Sequence, residues 1–243
     1  MRYLVLSDIH GNWEALAAVL AASEGAHDSV VCLGDVVGYG ADPNRCVEWT
    51  REHASPVVRG NHDRASAGEG DLSWFNEIAA HAILWTRNAL APENALWLRD
   101  LPRGPAACGG FQIAHGSPLD EDGYLVHIAD AEATFPYLET PLVFFGHTHL
   151  QGWFLWARLR SSPFRRPPGE FVLDLRPGDS YLINPGSVGQ PRDGDPRAAY
   201  AIYDDAARTV AFHRAAYDLA SAQARIREAG LPEMLAARLA EGR

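Results

Sequence analysis

Long hydrophobic runs are absent from this sequence. No segment reaches the roughly 18 consecutive apolar residues that a membrane-spanning helix needs, so none is predicted. After Met1 and Arg2 the chain enters a strand-like run directly, without the charged, apolar and small-residue zones of a signal peptide. We therefore expect a cytoplasmic protein that does not associate with membranes.

Cysteine is scarce as well. The chain has 3 cysteines, Cys32, Cys46 and Cys108, and no C-x-x-C spacing. An odd number without that spacing gives no sign of a disulfide framework. Cys32 lies within an apolar run and is expected to be a buried thiol, which fits a reducing compartment.

Basic residues are fewer than acidic ones. The 21 basic and 31 acidic residues give a formal net charge of −10, so broad nucleic-acid binding through phosphate neutralisation is not expected. The sequence has no G-x-x-x-x-G-K-(S/T), so a P-loop is not indicated. Gly186-Ser187-Val188-Gly189 is not a nucleophile elbow, because that motif requires a residue between its first glycine and the serine.

Five short polar motifs are present in one order, each directly after an apolar, β-rich run. Because strand ends at one edge of a sheet form the sites of α/β proteins, we expect these motifs to meet. They contain seven potential metal ligands, which are oxygen and nitrogen donors of hard to borderline type without a thiolate. The motifs are Asp8-Ile9-His10, Gly34-Asp35, Gly60-Asn61-His62-Asp63, Ala114-His115-Gly116 and Gly146-His147-Thr148-His149.

These motifs resemble those of the calcineurin-like metallophosphoesterase superfamily. That family is recognised by D-x-H, G-D-x-x-(G/D), G-N-H-(D/E), a single histidine and G-H-x-H, in the order found here. One such match is a weak signal, whereas five in order are specific. Residues 184–192 are similar to a later segment of a bacterial subgroup labelled YfcE-like or diadenosine-tetraphosphatase-like, so the resemblance covers nearly the whole chain.

Apolar periodicity predicts βα units up to about residue 150, then a mostly antiparallel block closed by helices near 218–229 and 232–240. Residues 56–59 are predicted to form a short strand. The Arg- and Pro-rich segment 158–169 is predicted to be a solvated hairpin loop, with a grip on a phosphate substrate or partner as the alternative. No linker divides the chain, so residues 1–243 are predicted to form one α/β domain. The resemblance implies a four-layer α/β/β/α sandwich of two mixed sheets flanked by helices.

The resemblance also implies two divalent metal ions, with Mn²⁺ as the first expectation and Fe, Zn²⁺, Ni²⁺ or Co²⁺ as alternatives. It implies that Asp35 bridges the two ions. Asp8 and His10 lie two positions apart, as do His147 and His149, which would put each pair on one side of an extended segment. The implied ligands are Asp8, His10, Asp35 and His149 for one ion, and Asp35, Asn61, His115 and His147 for the other.

Such a centre implies hydrolysis of a phosphodiester or phosphomonoester. A water bridging two divalent ions loses a proton near neutral pH, and the resulting hydroxide can attack phosphorus in line with the leaving oxygen. The ions would bring four positive charges against two negative charges from Asp8 and Asp35, so an anionic substrate is compatible with an acidic protein. His62 would donate to a phosphate oxygen or protonate the leaving group; the alternative is a structural role.

One departure from related enzymes concerns the substrate. Phosphoprotein phosphatases and symmetrical diadenosine tetraphosphate hydrolases carry Asp-Arg-Gly where this chain has Gly38-Tyr39-Gly40, so their phosphate-gripping arginine is absent. Tyr39, Arg64 and Arg192 are candidate substrate contacts instead. The alternatives are a packed loop residue for Tyr39 and structural salt bridges for the two arginines.

A second class of function remains open, namely a catalytically weak nucleotide-binding or protein-binding module on the same fold. A retromer subunit of this family has lost its catalytic ligands. All seven ligand positions and His62 are retained here, which favours an enzyme acting on a small phosphate ester or nucleotide. Open strand edges and the C-terminal helix pair would also allow a homodimer.

Overall fold

The computed structural model describes residues 1–243. Two short 3₁₀ helices cover Leu72–Trp74 and Phe135–Tyr137. The strands are β1 (Arg2–Leu6), β2 (Ser29–Cys32), β3 (Ala106–Cys108), β4 (Phe111–Ile113), β5 (Leu142–Phe144), β6 (Gly152–Ala157), β7 (Arg160–Ser161), β8 (Phe171–Asp174), β9 (Ser180–Asn184), β10 (Ala198–Asp204) and β11 (Thr209–Ala215). The helices are α1 (Trp13–Ala22), α2 (Pro43–His53), α3 (Asn61–Ser66), α4 (Glu77–Ala89), α5 (Pro92–Arg99), α6 (Ile128–Thr134), α7 (Leu219–Glu228) and α8 (Glu233–Glu241).

Helix starts follow local capping chemistry. The side chain of Asn12 accepts a hydrogen bond from the Ala15 amide at 3.1 Å, which satisfies one of the free amides at the start of α1. Asn76 caps α4 and Asp218 caps α7 in the same way. Helix α2 begins with Pro43, whose missing amide hydrogen costs nothing in the first turn.

The strands form two mixed sheets. The first has the order β2-β1-β10-β11-β8 and the second has the order β3-β4-β5-β9-β6-β7. Parallel pairs join β1 to β2, β4 to β5 and β5 to β9, whereas the other neighbours are antiparallel. The strands after residue 150 therefore do not form a sheet of their own, because they complete both sheets.

Side-chain alternation along the strands produces four layers. In β1, Leu4 and Leu6 pack toward the cluster that includes α1, α2 and α5, while Val5 packs into the cluster between the sheets. In β5, Val143 faces the cluster with α6, while Phe144 faces the other sheet. Each fully buried side chain of this size contributes about 1.5–3 kcal/mol. The predicted α/β/β/α sandwich is confirmed, and since the cluster between the sheets draws on both halves of the chain, we infer one domain over residues 1–243.

Two sequence expectations differ from the structure. Residues 56–59 do not form a strand, because only Val57 makes a bridge to Cys32 and Pro56 has no amide hydrogen to donate. The segment 158–169 is not wholly loop, since β7 pairs with the end of β6. The motif that contains Asn61 begins the short helix α3.

The longest helix, α4, has 13 residues. None of the helices combines the length and the apolar character needed to cross a membrane.

Candidate metal centre

The first two motif loops are joined along their backbones at the carboxyl ends of β1 and β2. The Asp8 amide donates to the Gly34 carbonyl at 3.0 Å, and the His10 amide donates to the Asp35 carbonyl at 2.9 Å. Because β1 and β2 are parallel neighbours, their ends leave the sheet together and the two loops continue side by side. The predicted meeting of motifs at a sheet edge is confirmed for this pair.

The motif loops have left-handed backbone conformations. Six of the nine non-glycine residues with positive φ in the whole chain lie in these loops: Asp8, His10, Asp35, Tyr39, His147 and His149, with φ between 51° and 64°. Such a conformation costs an L-residue about 1–2 kcal/mol and is concentrated at functional sites. The expectation that Asp8/His10 and His147/His149 lie on extended segments is therefore wrong, because each ligand sits on a tight left-handed turn.

Four buried residues form the first group of potential ligands. Asp8, His10, Asp35 and His149 each offer one ligand atom, and these atoms lie within 4.8 Å of one another. The Nε2 atoms of His10 and His149 are 3.1 Å apart. His149 Nε2 is also 3.4 Å from the Oδ1 of Asp8. This set is the one that the family resemblance implies for one ion.

A second group shares Asp35. Ligand atoms of Asp35, His115 and His147 also lie within 4.8 Å of one another, and the Nε2 of His115 is 3.1 Å from both the Nδ1 of His147 and the Oδ1 of Asn61. The Oδ2 of Asp35 is 3.6 Å from His10 Nε2 and 3.4 Å from His115 Nε2. Asp35 is thus the residue that the two groups have in common.

The tautomers of the first group fit a cation. His10 Nδ1 donates to the Val37 carbonyl at 3.0 Å, and His149 Nδ1 donates to the Gln190 carbonyl at 2.6 Å. Carbonyl oxygens only accept, so in each neutral ring Nε2 carries a lone pair. Two lone pairs facing one another at 3.1 Å repel unless a positive charge lies between them. The donor set therefore fits a divalent cation, with the carbonyls acting as the outer partners that orient the rings.

The electrostatics of the pocket also fit a bound cation. Burial holds the pKa values of His10 and His149 well below the usual range and lowers that of His147 to about 3. Burial alone would do the same to His115, but the Asp35 carboxylate outweighs it and raises the pKa of His115 to about 10. The Asp35 carboxylate and the Nε2 of His115, 3.4 Å apart, therefore attract positive charge, and a metal ion would compete with a proton there.

His62 lies beside these groups and belongs to neither of them. It is buried, and burial lowers its pKa to about 4. Its ring is 4.9 Å from that of His10, 4.4 Å from that of Tyr39 and 5.2 Å from that of Phe75. Its Nδ1 is enclosed beside Gly38 without a hydrogen-bond partner, and the residue lines the pocket, so Nε2 is the nitrogen available to a ligand.

Residues next to the predicted ligands hold the motif loops in position. Asp63 accepts from the Gly60 amide at 3.0 Å and from the Val37 amide at 3.1 Å, so it begins α3 and ties it to the second motif loop. A side chain at Gly60 would overlap Asp35 Oδ1. No role was predicted for Asp63, although its position three residues after Gly60 is the spacing of a capping box.

An open pocket of about 760 Å³ lies over the centre. Asn61, His62 and His147 form its floor, and Tyr39, Trp74, Phe75 and Tyr124 add aromatic walls. The Tyr124 ring lies 4.0 Å from the His147 ring, a contact that no motif indicated. A pocket of this size holds a ligand much larger than a phosphate ion.

The predicted substrate residues have different surroundings. Arg64 pairs with Glu121 at 2.6 Å and Asp122 at 2.7 Å, which is the salt-bridge alternative. Arg192 contacts the Tyr39 hydroxyl at 3.5 Å and lines the pocket without a carboxylate partner. Of the two arginines, Arg192 is therefore the better placed for an anionic ligand.

Comparison with known proteins decides the family. The sequence profile described as the calcineurin-like phosphoesterase superfamily domain matches residues 1–207. The chain belongs to this superfamily. The family predicted from the five motifs is thus confirmed, and the buried aspartate and histidine groups at the pocket are polar sites able to hold metal, as in a metallophosphoesterase.

Relatives of this superfamily extend over the whole chain. A metallophosphoesterase from Sphaerobacter thermophilus is 44% identical, with 100% of this chain and 99% of that chain covered and a TM-score of 0.89. Uncharacterized protein MJ0912 from Methanocaldococcus jannaschii is 37% identical, with 98% of this chain and 97% of its own length covered. Protein PH1004 from Pyrococcus horikoshii OT3, at 22% identity and a TM-score of 0.81 over 100% and 98% of the two chains, shows the shared fold alone.

Within the superfamily fold, a second loop completes the centre. Ser187 Oγ donates to the Asp8 carbonyl at 2.8 Å. Asn184 Nδ2 donates to the Gly146 carbonyl at 2.9 Å, and Gln190 provides the carbonyl that orients His149. The contacts of Asn184, Ser187 and Gln190 were not predicted, although residues 184–192 were recognised by resemblance. They position the first and last motif loops relative to one another.

Proposed function

We propose that this protein is a divalent-metal-dependent phosphoesterase that hydrolyses a small phosphodiester or phosphomonoester. The observation that carries the proposal is that two groups of buried ligand atoms share the Asp35 carboxylate, and that His147 of the second group lines an open pocket. Two ions bound there would activate a water and polarise phosphoryl oxygens. The 44% identical protein from Sphaerobacter thermophilus, described as a metallophosphoesterase, supports the proposal.

The proposed roles of the chain's own residues follow from their contacts. Asp8, His10 and His149 would hold one ion, Asn61, His115 and His147 the other, and Asp35 both. The carbonyls of Val37, Leu33 and Gln190 keep three of the rings in the tautomer that turns Nε2 inward. In these roles the protein mainly positions the reacting groups and complements their charge, which is what phosphoryl transfer requires.

His62 is proposed to contact the substrate rather than a metal ion. Its Nδ1 is enclosed beside Gly38 and the residue lines the pocket, so Nε2 is the nitrogen that would meet a ligand. A phosphate oxygen or leaving-group oxygen within hydrogen-bond reach of Nε2 would accept a hydrogen bond or a proton from it. Tyr39 and Arg192, which also line the pocket, would contact the same ligand.

Hydrolysis of p-nitrophenyl phosphate and bis-p-nitrophenyl phosphate tests the proposal. Metal-stripped protein would be assayed with added Mn²⁺ and then with the other divalent ions. Asp35→Ala is expected to abolish both activity and metal binding, because Asp35 is proposed for both ions. Asp28→Ala, an exposed carboxylate paired with Arg2, serves as the matched control and is expected to behave as the parent protein.

The outcomes separate the two classes of function. Metal-dependent release that disappears in Asp35→Ala and persists in Asp28→Ala supports the enzyme, and the ratio of diester to monoester rates directs the choice of substrate. Retained activity in Asp35→Ala contradicts the shared role of this carboxylate. Tight nucleotide binding without turnover under any metal favours the binding module instead.

A further inference from the structure

Two arginines from separate segments meet at the wall of the pocket opposite His62. Arg192 lies in the loop after β9, and Arg238 lies on α8 near the end of the chain. Both line the pocket, and their guanidinium carbons are 5.8 and 6.0 Å from the centre of the Tyr39 ring. Both donate to one acceptor, the Oε1 of Gln190, at 3.0 and 3.4 Å.

This pair has no negative partner. The side-chain hydrogen bonds of the two guanidinium groups go to neutral atoms of Gln190 and Tyr39. The Nε of Arg238 is buried without any hydrogen-bond partner. Burial and the neighbouring Arg192 lower the pKa of Arg238 from its usual value. Two half-buried cations that share one neutral acceptor repel each other, and an anion between them would remove that repulsion.

The fold holds the pair in place from outside the motif region. Leu235, Ala236 and Leu239 of α8 are buried in one cluster with Tyr39. The carbonyl of Gly242, at the end of α8, accepts from the Gly194 amide at 3.0 Å, so the helix end is fastened to the loop that carries Arg192. Residue 238 lies beyond the part of the chain that matches the family profile, residues 1–207.

We propose that Arg192 and Arg238 form an anion subsite that binds a second phosphate group of the substrate. This proposal rests on the proposed function and narrows its substrate class to small organic molecules with two phosphate groups. One group would lie at the metal centre, and the other would lie across the Tyr39 ring between the two guanidinium groups.

The position of the pair favours a second phosphate over the one that reacts. The Tyr39 ring separates the arginines from the centre, since its other neighbours are the rings of His10 at 4.7 Å and His62 at 4.4 Å. Neither arginine side chain makes a hydrogen bond to a predicted metal ligand. The pocket of about 760 Å³ spans both positions. Arginine suits phosphate because its planar guanidinium group can make two parallel hydrogen bonds to phosphate oxygens.

The test is calorimetric titration of inorganic pyrophosphate into the metal-stripped full-length protein at low salt. Arg192→Gln and Arg238→Gln are each expected to weaken binding about tenfold or more, since each removes charge-assisted hydrogen bonds. Arg238→Lys should recover part of the affinity, because it restores the charge without the fork. Arg227→Gln, which removes an arginine paired with Glu233, is the control and should bind as the parent protein.

A kinetic comparison keeps this inference separate from the proposed function. With Mn²⁺ bound, Arg238→Gln is expected to lower the ratio of kcat/KM for a nucleoside diphosphate to that for p-nitrophenyl phosphate about tenfold. If neither substrate is hydrolysed, the proposed function fails. The pyrophosphate titration still shows whether Arg192 and Arg238 bind an anion. Pyrophosphate binding that is absent from the parent protein, or unchanged in both arginine variants, would overturn the subsite.

Discussion

The pocket has two ends that are built in different ways. The metal-ligand end consists of side chains from five short motifs, held by backbone hydrogen bonds between neighbouring loops and by carbonyls behind the histidine rings. The arginine end consists of Arg192 and Arg238, which come from a loop and from the C-terminal helix and are held by packing around Tyr39. The first end is held by hydrogen bonds between loops, and the second is held by apolar packing.

This difference separates reaction chemistry from substrate choice. A strained set of loops joined by backbone hydrogen bonds can hold a donor geometry that tolerates little change. A side chain on a packed outer helix can be exchanged without disturbing that geometry. We therefore expect changes at the metal-ligand end to affect every substrate, and changes at the arginine end to affect some substrates more than others.

Among changes outside the predicted metal ligands, the largest expected effect is at His62. His62→Gln should lower kcat by about 10²–10⁴-fold while the metal content stays intact, because the ring is proposed to contact substrate and not metal. The measurement is steady-state kinetics with metal analysis of the same sample. His81→Gln, an exposed histidine on α4, is the control. Loss of metal from His62→Gln would show that its role is misassigned.

Leu235→Ala probes the arginine end through packing alone. Leu235 is fully buried in the cluster with Tyr39, so its truncation should lower the free energy of unfolding by about 2–5 kcal/mol. Pyrophosphate affinity should fall while metal stoichiometry is retained. The neighbouring Met234→Ala, whose side chain is largely exposed, should change neither quantity appreciably. Loss of metal from folded Leu235→Ala would mean that the two ends are not independent.

Gly60→Ala probes the metal-ligand end in the same manner. The added methyl group would overlap the Asp35 carboxylate, so we expect a loss of about 1–3 kcal/mol in stability together with weaker metal binding. Thermal unfolding with and without Mn²⁺ measures both. At Gly110 a methyl group would meet open space, which makes Gly110→Ala the matched control. Equal metal affinity in the two variants would argue against a tightly constrained Asp35.

The smallest expected effect is at Arg64. Its ion pairs with Glu121 and Asp122 are partly exposed, so a double-mutant cycle of Arg64→Gln with Asp122→Asn should give a coupling of about 0–1 kcal/mol in stability. A rise in KM of more than about tenfold without a change in stability would instead favour the substrate contact first predicted for Arg64.

Sequence patterns predicted much of the fold and the ligand types of the site. Strand alternation and capping residues act locally, so β1, α1 and α2 could be placed before the structure was known. The left-handed turns at Asp8 and His147 could not, because an aspartate or histidine adopts that conformation only where surrounding contacts impose it.

Tertiary packing limited the rest. Arg238 lies in an amphipathic helix whose pattern indicates only that Leu235 and Leu239 face the core. Its approach to Arg192 depends on how α8 docks against Tyr39, which no local spacing reveals. Residues 56–59 were mistaken for a strand because their apolar composition outweighed the missing amide hydrogen of Pro56.

The most direct test of the central claim is whether Asp35 joins two ions. Metal-stripped protein would be titrated with Mn²⁺ and followed by electron paramagnetic resonance, with Asp35→Ala and Asp28→Ala in parallel. The account predicts two ions per chain with a spin-coupled signal that Asp28→Ala retains and Asp35→Ala loses. One ion per chain, or two uncoupled ions in the parent protein, would contradict it.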